Sequence, residues 1–197
     1  IIHIGDYADR GPDTKRVLDL IIARSSDRRV LSLMGNHDEA WLNFLADPHP
    51  VGLFVTHGGD TTAHSYGIEV DFGDAKGRSQ ARDALLAAMP QAHLDFLRSL
   101  SRSFSFGDYY FCHAGIRPGV ALGIQDREDL IWIRKEFLTY KGLHPKVIVH
   151  GHTPSAEPEM LPNRINVDTG AVKTGIMTAV VLEGTTKRII DVRQPPV

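Results

Sequence analysis

Apolar residues alternate between strand-like runs and helix-like spacing in the N-terminal part of the chain. The apolar run at residues 1–4 predicts the end of a buried strand. Residues 13–23 carry apolar side chains at helical spacing after a Gly-Pro turn, which predicts a helix. Residues 28–36 predict a second strand that ends in Gly-Asn. Residues 37–47 predict a helix with acidic residues in its first turn.

Further along, the pattern becomes irregular, then helical, and finally strand-rich. Residues 48–75 are rich in Gly, His, Thr and Pro and predict an irregular insertion. The predicted helices are 78–89, 91–100 and 129–138. The predicted strands are a hairpin over 103–113 and four runs at 146–152, 164–170, 177–183 and 187–192. We therefore predict one α/β domain over 1–197 with a mixed sheet and an irregular or helical insertion at about 48–102.

Composition narrows the class of protein. The chain of 197 residues has 42% hydrophobic residues and a formal net charge of -2. Without a basic run, these values argue against binding to nucleic acid or a membrane surface through bulk charge. The single cysteine favours a reducing compartment, so we expect a cytoplasmic location. No apolar stretch approaches ~18 residues, the length that spans a membrane.

Four predicted strands end in a small residue next to a side chain that can bind a metal. In open α/β sheets, ligand sites lie beyond the carboxyl ends of the strands. The small residues let the backbone turn sharply and approach a ligand closely. The side chains concerned are Asp6, Asn36 with His37, His113 and His152. We expect them to converge on one rim of the sheet.

The chemistry of this set predicts a divalent metal site. Carboxylate, amide and imidazole groups without a thiolate suit Mn, Fe, Zn or Co, with Mn expected. A carboxylate can bridge two cations, and paired metals are the usual device for displacement at phosphorus. Such metals hold a hydroxide as nucleophile and neutralise charge on the phosphoryl oxygens. We therefore expect direct attack by a metal-bound hydroxide on a phosphate ester.

Nearby charged residues fit the same chemistry. Arg10 follows Asp6 by four positions, where its guanidinium could hold two phosphoryl oxygens. Arg134 is a second candidate, and the alternative for it is a surface arginine on a helix. A carboxylate beside a histidine fixes the tautomer and raises the pKa of the imidazole, so Asp9 with His37 is our predicted general-acid pair.

These motifs resemble those of the calcineurin-like metallophosphoesterases, in particular the phosphoprotein phosphatase branch. The GDxxDRG pattern matches residues 5–11, and the GNH pattern matches residues 35–37, followed by Asp38 where Glu is commoner. The His-Ala-Gly and Gly-His motifs match residues 113–115 and 151–152. The resemblance covers nearly the whole chain. Among the bacterial members that the sequence resembles are small serine/threonine phosphatases and symmetrical diadenosine tetraphosphatases.

The resemblance implies a β-sandwich of mixed sheets flanked by helices, with two divalent metals at the strand ends. Asp6 is implied to bridge them. Asn36, His113 and His152 are implied to complete one metal site, while Arg10 and Arg134 hold phosphate. The family's first motif, GDxH, does not occur in this sequence. We therefore expect that the N-terminal strand carrying it is missing, and that this chain lacks the Asp and His ligands of the second site.

Three functions follow as alternatives. The first is a phosphomonoesterase similar to serine/threonine protein phosphatases, acting on a phosphorylated protein or a small phosphate ester. The second is a symmetrical diadenosine tetraphosphate hydrolase that acts on a dinucleoside polyphosphate. The third is a non-catalytic homologue that binds metal or phosphate. Three other motifs are interpreted as structural: His57-Gly58-Gly59 as part of the insertion, His150 as a residue behind the ligands, and Asp168 as a turn.

Overall fold

The computed structural model describes residues 1–193, and its contacts divide the chain into two units, Ile1–Ser101 and the residues from Arg102 onward. The prediction of an α/β fold with a mixed sheet and helices is confirmed. The boundary falls at the end of the predicted 48–102 insertion. The assignment of 1–197 as one domain stays a prediction.

The first unit has two short parallel strands and six helices. Strand β1 (Ile2–His3) pairs with β2 (Leu31–Ser32), and Leu33 continues beside Ser101. The helices are α1 (Thr14–Ser25), α2 (Asn36–Ala46), α3 (Leu53–Thr56), α4 (Gly59–Ser65), α5 (Ala75–Ala88) and α6 (Gln91–Ser99). Asp13 caps α1 by accepting a hydrogen bond from the backbone N–H of Arg16 at 3.2 Å. The strands and helices predicted before residue 48 are thus confirmed.

The segment 48–75 is more ordered than its composition indicates. It contains α3 and α4, so the expectation of an irregular stretch is wrong in part. Phe54 is fully buried, and its ring centroid lies 4.7 Å from that of Phe44 and 6.0 Å from that of Trp41. Burial of such aromatic rings favours ordered backbone in a segment that is otherwise rich in turn residues.

The second unit contains a five-stranded mixed sheet and a separate hairpin. The sheet order is β3-β4-β5-β7-β6, with β4, β5 and β7 parallel and both edge strands antiparallel. The strands are β3 (Ser103–Phe106), β4 (Tyr109–Cys112), β5 (Val147–His150), β6 (Glu159–Met160), β7 (Arg164–Asn166), β8 (Ile176–Glu183) and β9 (Thr186–Arg193). Strands β8 and β9 form the hairpin. All predicted strands in this unit are found, and β6 is an addition.

Short helices lie between the strands of the second unit. They are α7 (Asp129–Trp132), α8 (Lys135–Leu138) and α9 (Ala171–Thr174), with a 3-10 turn at Leu122–Ile124. The prediction of a single helix over 129–138 is therefore wrong, because α7 and α8 are separate helices. Ile133 has the extended dihedrals φ -58° and ψ 140°, which end α7 before α8 begins. Among residues 1–193, no helix combines the length and apolar character needed to cross a bilayer.

Candidate active site

The loop after β1 is held against the start of α2 by two glycines. Gly5 has φ +97°, a left-handed conformation that glycine adopts at little cost. A Cβ atom on Gly35 would lie only 2.1 Å from Asp6 Oδ1. The absence of a side chain at Gly35 lets the Asp6 carboxylate reach α2, where Oδ1 accepts a hydrogen bond from the His37 backbone N–H at 3.1 Å.

Asp38 ties the two loops together. Its fully buried carboxylate accepts hydrogen bonds from the backbone N–H groups of Gly35 and Asp6, both at 2.8 Å, and of Tyr7 at 2.9 Å. Burial and the nearby Asp6 charge raise the pKa of Asp38 to about 7, whereas the three donors favour its ionised form. Sequence analysis noted Asp38 only as a motif variant. Its role in joining the loops depends on tertiary structure.

Asp9 and His37 form a buried pair, as predicted for the general acid. Asp9 Oδ2 lies 2.6 Å from His37 Nδ1, and both side chains are almost completely inaccessible to solvent. Burial raises the pKa of Asp9, while hydrogen bonds with His37 and Thr62 lower it. The carboxylate therefore fixes the ring orientation of the imidazole. The structure confirms the contact, and the catalytic role stays a prediction.

Arg10 lies on the other nitrogen of the same imidazole. Its Nη2 is 2.6 Å from His37 Nε2. Because a guanidinium can only donate, Nε2 acts as the acceptor and Nδ1 carries the proton toward Asp9. Sequence reasoning assigned Arg10 to phosphate alone and missed this contact. The arginine side chain is solvent-exposed and so can also reach an anion.

Thr62 in α4 supports the pair and was missed in the sequence. Its hydroxyl accepts a hydrogen bond from the Asp9 backbone N–H at 2.8 Å and donates one to Asp9 Oδ1 at 3.0 Å. The neighbouring Gly58 carbonyl accepts from the Arg10 N–H at 3.2 Å. The His-Gly-Gly segment thus belongs to the insertion, as predicted, and it also braces the Asp9–Arg10 loop.

Replacement of Thr62 by valine is expected to lower the free energy of unfolding by about 1–3 kcal/mol, since the buried Asp9 N–H loses its acceptor. We also expect slower turnover, because the Asp9 carboxylate loses a donor. Thermal denaturation and steady-state kinetics measure the two effects. Thr62→Ser keeps the hydroxyl and should retain most of the stability and most of the turnover. A serine variant as impaired as the valine variant would contradict this role.

In the second unit, two of the predicted ligands lie side by side. His113 follows β4 and His152 follows β5, and the His113 carbonyl accepts a hydrogen bond from the Gly151 N–H at 2.8 Å. Their ring nitrogens Nε2 and Nδ1 are 3.1 Å apart. Both residues are buried. The predicted proximity of these two side chains is confirmed, and their binding of a metal stays a prediction.

Three polar residues of the second unit have structural contacts. Asn166 is buried, and its Nδ2 donates to the carbonyl of Thr153, the residue after His152, at 2.9 Å. Asp168 caps a turn by accepting from the Gly170 N–H at 2.9 Å, as its structural interpretation predicts. His150 lies against Phe137 in the core, where burial lowers the pKa of the His150 imidazole to about 4.

Arg134, the second residue predicted to hold phosphate, is exposed at the start of α8.

Backbone strain coincides with the predicted site. Among residues 1–193, the non-glycine residues with positive φ are Asp6, Asp9, Arg10 and His152, with values of 61°, 71°, 62° and 65°. Each such residue costs on the order of 1–3 kcal/mol, and such strain is concentrated at functional sites. All of them belong to the residues predicted from the sequence. Strain therefore supports a functional assignment for these residues.

The donors in each unit suit divalent metal ions. Two imidazoles that share a cation at Zn–N distances of ~2.1 Å have nitrogens about 3.0–3.4 Å apart, which fits the His113–His152 separation. Across residues 1–193, no three His, Cys, Asp or Glu side chains are grouped so as to hold a metal ion. The predicted set includes an asparagine and is divided as Asp6 with Asn36 and His113 with His152. Its assembly stays a prediction.

Comparisons with known proteins agree on one family. The family model of calcineurin-like phosphoesterases matches residues 1–174. A protein of Anoxybacillus flavithermus named bis(5'-nucleosyl)-tetraphosphatase PrpE [asymmetrical] is 29% identical over 199 residues, covering 91% of this chain and 74% of the relative. A Bacillus cereus protein of the same name is 27% identical over 197 residues, with the same coverage.

Solved structures show the same fold. A provisionally assigned diadenosine tetraphosphatase matches with a TM-score of 0.64 at 18% identity, covering 99% of this chain and 81% of the other. A metallophosphoesterase from Sphaerobacter thermophilus matches with a TM-score of 0.52 at 17% identity, covering 98% and 76%. At these identities the likeness concerns the fold alone.

Proposed function

The chain belongs to the calcineurin-like phosphoesterase family, and from this premise we propose that it hydrolyses dinucleoside tetraphosphates. The family membership makes it a hydrolase of phosphate esters that uses divalent metals. The substrate is proposed because the curated relatives are named as tetraphosphatases and cover nine-tenths of the chain. Their names also favour asymmetrical cleavage over the symmetrical cleavage that the motifs suggested.

The observation that carries a catalytic function is the buried Asp9–His37 pair with Arg10 on its outer nitrogen. Simple binding of phosphate or metal needs no such pair, which argues against a non-catalytic module. Both contacts are 2.6 Å long, and together they orient one imidazole from both sides. This arrangement suits a residue that holds a proton at a defined position.

The predicted residues divide into metal ligands and phosphate donors. Asp6, Asn36, His113 and His152 would hold the cations, with manganese as the proposed metal. When bound, divalent cations supply Lewis-acid stabilisation of the phosphoryl oxygens and a nucleophile derived from water. Arg10 donates to the phosphoryl group, and Arg134 is the second proposed donor.

The contact between Arg10 and His37 links substrate binding to proton donation. While Arg10 donates to Nε2, that nitrogen carries no proton for a leaving group. A phosphoryl oxygen that accepts from Arg10 draws the guanidinium away from the imidazole. The vacated Nε2 can then take up a proton from solvent and donate it to the leaving oxygen, while Asp9 still accepts from Nδ1–H and stabilises the charged ring.

A product analysis tests the proposed substrate. We expect that the protein supplied with Mn²⁺ converts diadenosine tetraphosphate to ATP and AMP, resolved by anion-exchange chromatography. Two molecules of ADP would instead establish symmetrical cleavage. Asp6→Asn, prepared in parallel and expected to lose activity whatever the leaving group, shows whether the activity belongs to this protein or to a contaminant.

Protein phosphatase activity is the second candidate, favoured by the Asp9–His37 pair itself. Protonation of the leaving group matters most for a serine alkoxide and least for a phosphate, whose second pKa is about 6. A phosphoserine peptide and p-nitrophenyl phosphate therefore belong in the same assay. A higher kcat/KM for the phosphopeptide than for the tetraphosphate would overturn the proposed substrate.

A further inference from the structure

The two tryptophans of the chain lie in opposite environments. Trp41 is fully buried between aromatic rings of the first unit. Trp132, at the end of α7, is 41% exposed. Its ring contacts His152, with centroids 5.9 Å apart and planes at 82°. A large exposed aromatic ring beside a proposed metal ligand is not explained by core packing.

The break between α7 and α8 presents Trp132 together with Arg134. Ile133 between them is extended and buried, whereas Trp132 and Arg134 are both exposed. Burial thus alternates along residues 131–134, with Ile131 and Ile133 in the core and Trp132 and Arg134 exposed to solvent. The indole and the guanidinium, two positions apart in the chain, are therefore both accessible to a ligand from solvent.

This pair of groups matches the two halves of a nucleotide. An indole stacks on the face of any nucleobase, and a guanidinium forms paired hydrogen bonds with phosphate oxygens. We propose that Trp132 is a stacking platform for a nucleobase, with Arg134 contacting the adjoining phosphate. The proposal rests on the proposed function, because it explains how a hydrolase of phosphate esters would select a dinucleoside polyphosphate.

Fluorescence gives a test that does not need turnover. We expect AMP and ATP to quench the tryptophan emission saturably, because Trp132 is accessible and Trp41 is buried. Inorganic tripolyphosphate has the charge but no base and should leave the emission nearly unchanged. Trp132→Phe should abolish the quenching. Quenching that persists in this variant, or that tripolyphosphate reproduces, would overturn the proposal.

Kinetics provide the second test. In Trp132→Ala, the ratio of kcat/KM for diadenosine tetraphosphate to that for p-nitrophenyl phosphate should fall on the order of 10- to 100-fold. Trp132→Phe keeps an aromatic face and should recover much of the ratio. Equal losses on both substrates would mean that Trp132 only supports His152, and the proposal would be rejected.

The two proposals can fail separately. If AMP quenches the tryptophan emission and Trp132→Phe abolishes this quenching, but the protein does not cleave the tetraphosphate, the stacking platform stands and the proposed substrate is wrong. If it cleaves the tetraphosphate and the Trp132→Ala ratio is unchanged, the substrate stands and the platform is wrong.

Discussion

His37→Ala is expected to reduce kcat on phenyl phosphate by about 10²–10⁴-fold, the usual contribution of a general acid. The loss on p-nitrophenyl phosphate should be much smaller. Phenol, like tyrosine, has a pKa near 10 and leaves poorly as an anion, whereas nitrophenol is far more acidic. The expectation follows from the 2.6 Å contact that joins His37 Nδ1 to Asp9 and directs Nε2 outward.

Controls separate this role from general damage. His64→Ala removes an exposed histidine on α4 and should change neither substrate's kcat. Metal content, measured by mass spectrometry, should be unchanged in His37→Ala; a loss of metal would make His37 a ligand and contradict the assignment. A uniform loss on both esters would equally exclude proton donation.

Asp9→Asn should show the same dependence on the leaving group, because Asp9 acts only through His37. The double variant His37→Ala/Asp9→Asn should then be little worse than His37→Ala alone, since residues that act as one unit are non-additive. Additive losses would show that the two residues contribute separately.

Local pattern predicted the elements that position these residues. The apolar run before Gly5-Asp6 and the helical apolar spacing after the Gly-Pro turn are local signals, and both elements form as expected. The pair of strands that carries His113 and His152 was likewise foreseeable, because each run ends in a small residue and a histidine. Local sequence patterns therefore predict where a strand ends and which side chain follows it.

The contacts that hold the site together could not be read in this way. Asp38 resembles an ordinary first-turn acidic residue of α2, yet it binds the loop after β1, 31 or 32 positions away. Thr62 lies 53 positions from Asp9, in a segment whose composition suggested irregular structure. The break at Ile133 also escaped prediction, because the apolar spacing continues through it. Such features depend on tertiary packing, which overrides local preference.

Loss of the Asp6 carboxylate should impair both metal binding and turnover, whatever the leaving group. Asp6→Asn is the most informative variant, since asparagine tolerates the left-handed backbone observed at φ 61° and preserves the size of the side chain. Only the charge is removed. If Asp6 bridges two cations, we expect bound metal to fall and kcat/KM to decrease at least about 100-fold, more than for changes behind a metal site.

Metal content and stability must be measured together for this variant. Asp6 also accepts a hydrogen bond from the His37 N–H, and its own N–H donates to Asp38, so a misfolded loop would mimic a lost ligand. The Asp6 N–H is retained in Asp6→Asn, so the melting temperature should stay close to that of Asp83→Asn, an exposed control with the same change of charge. Full metal content in Asp6→Asn with wild-type activity would exclude the bridging role, because an amide oxygen binds two cations far more weakly than a carboxylate.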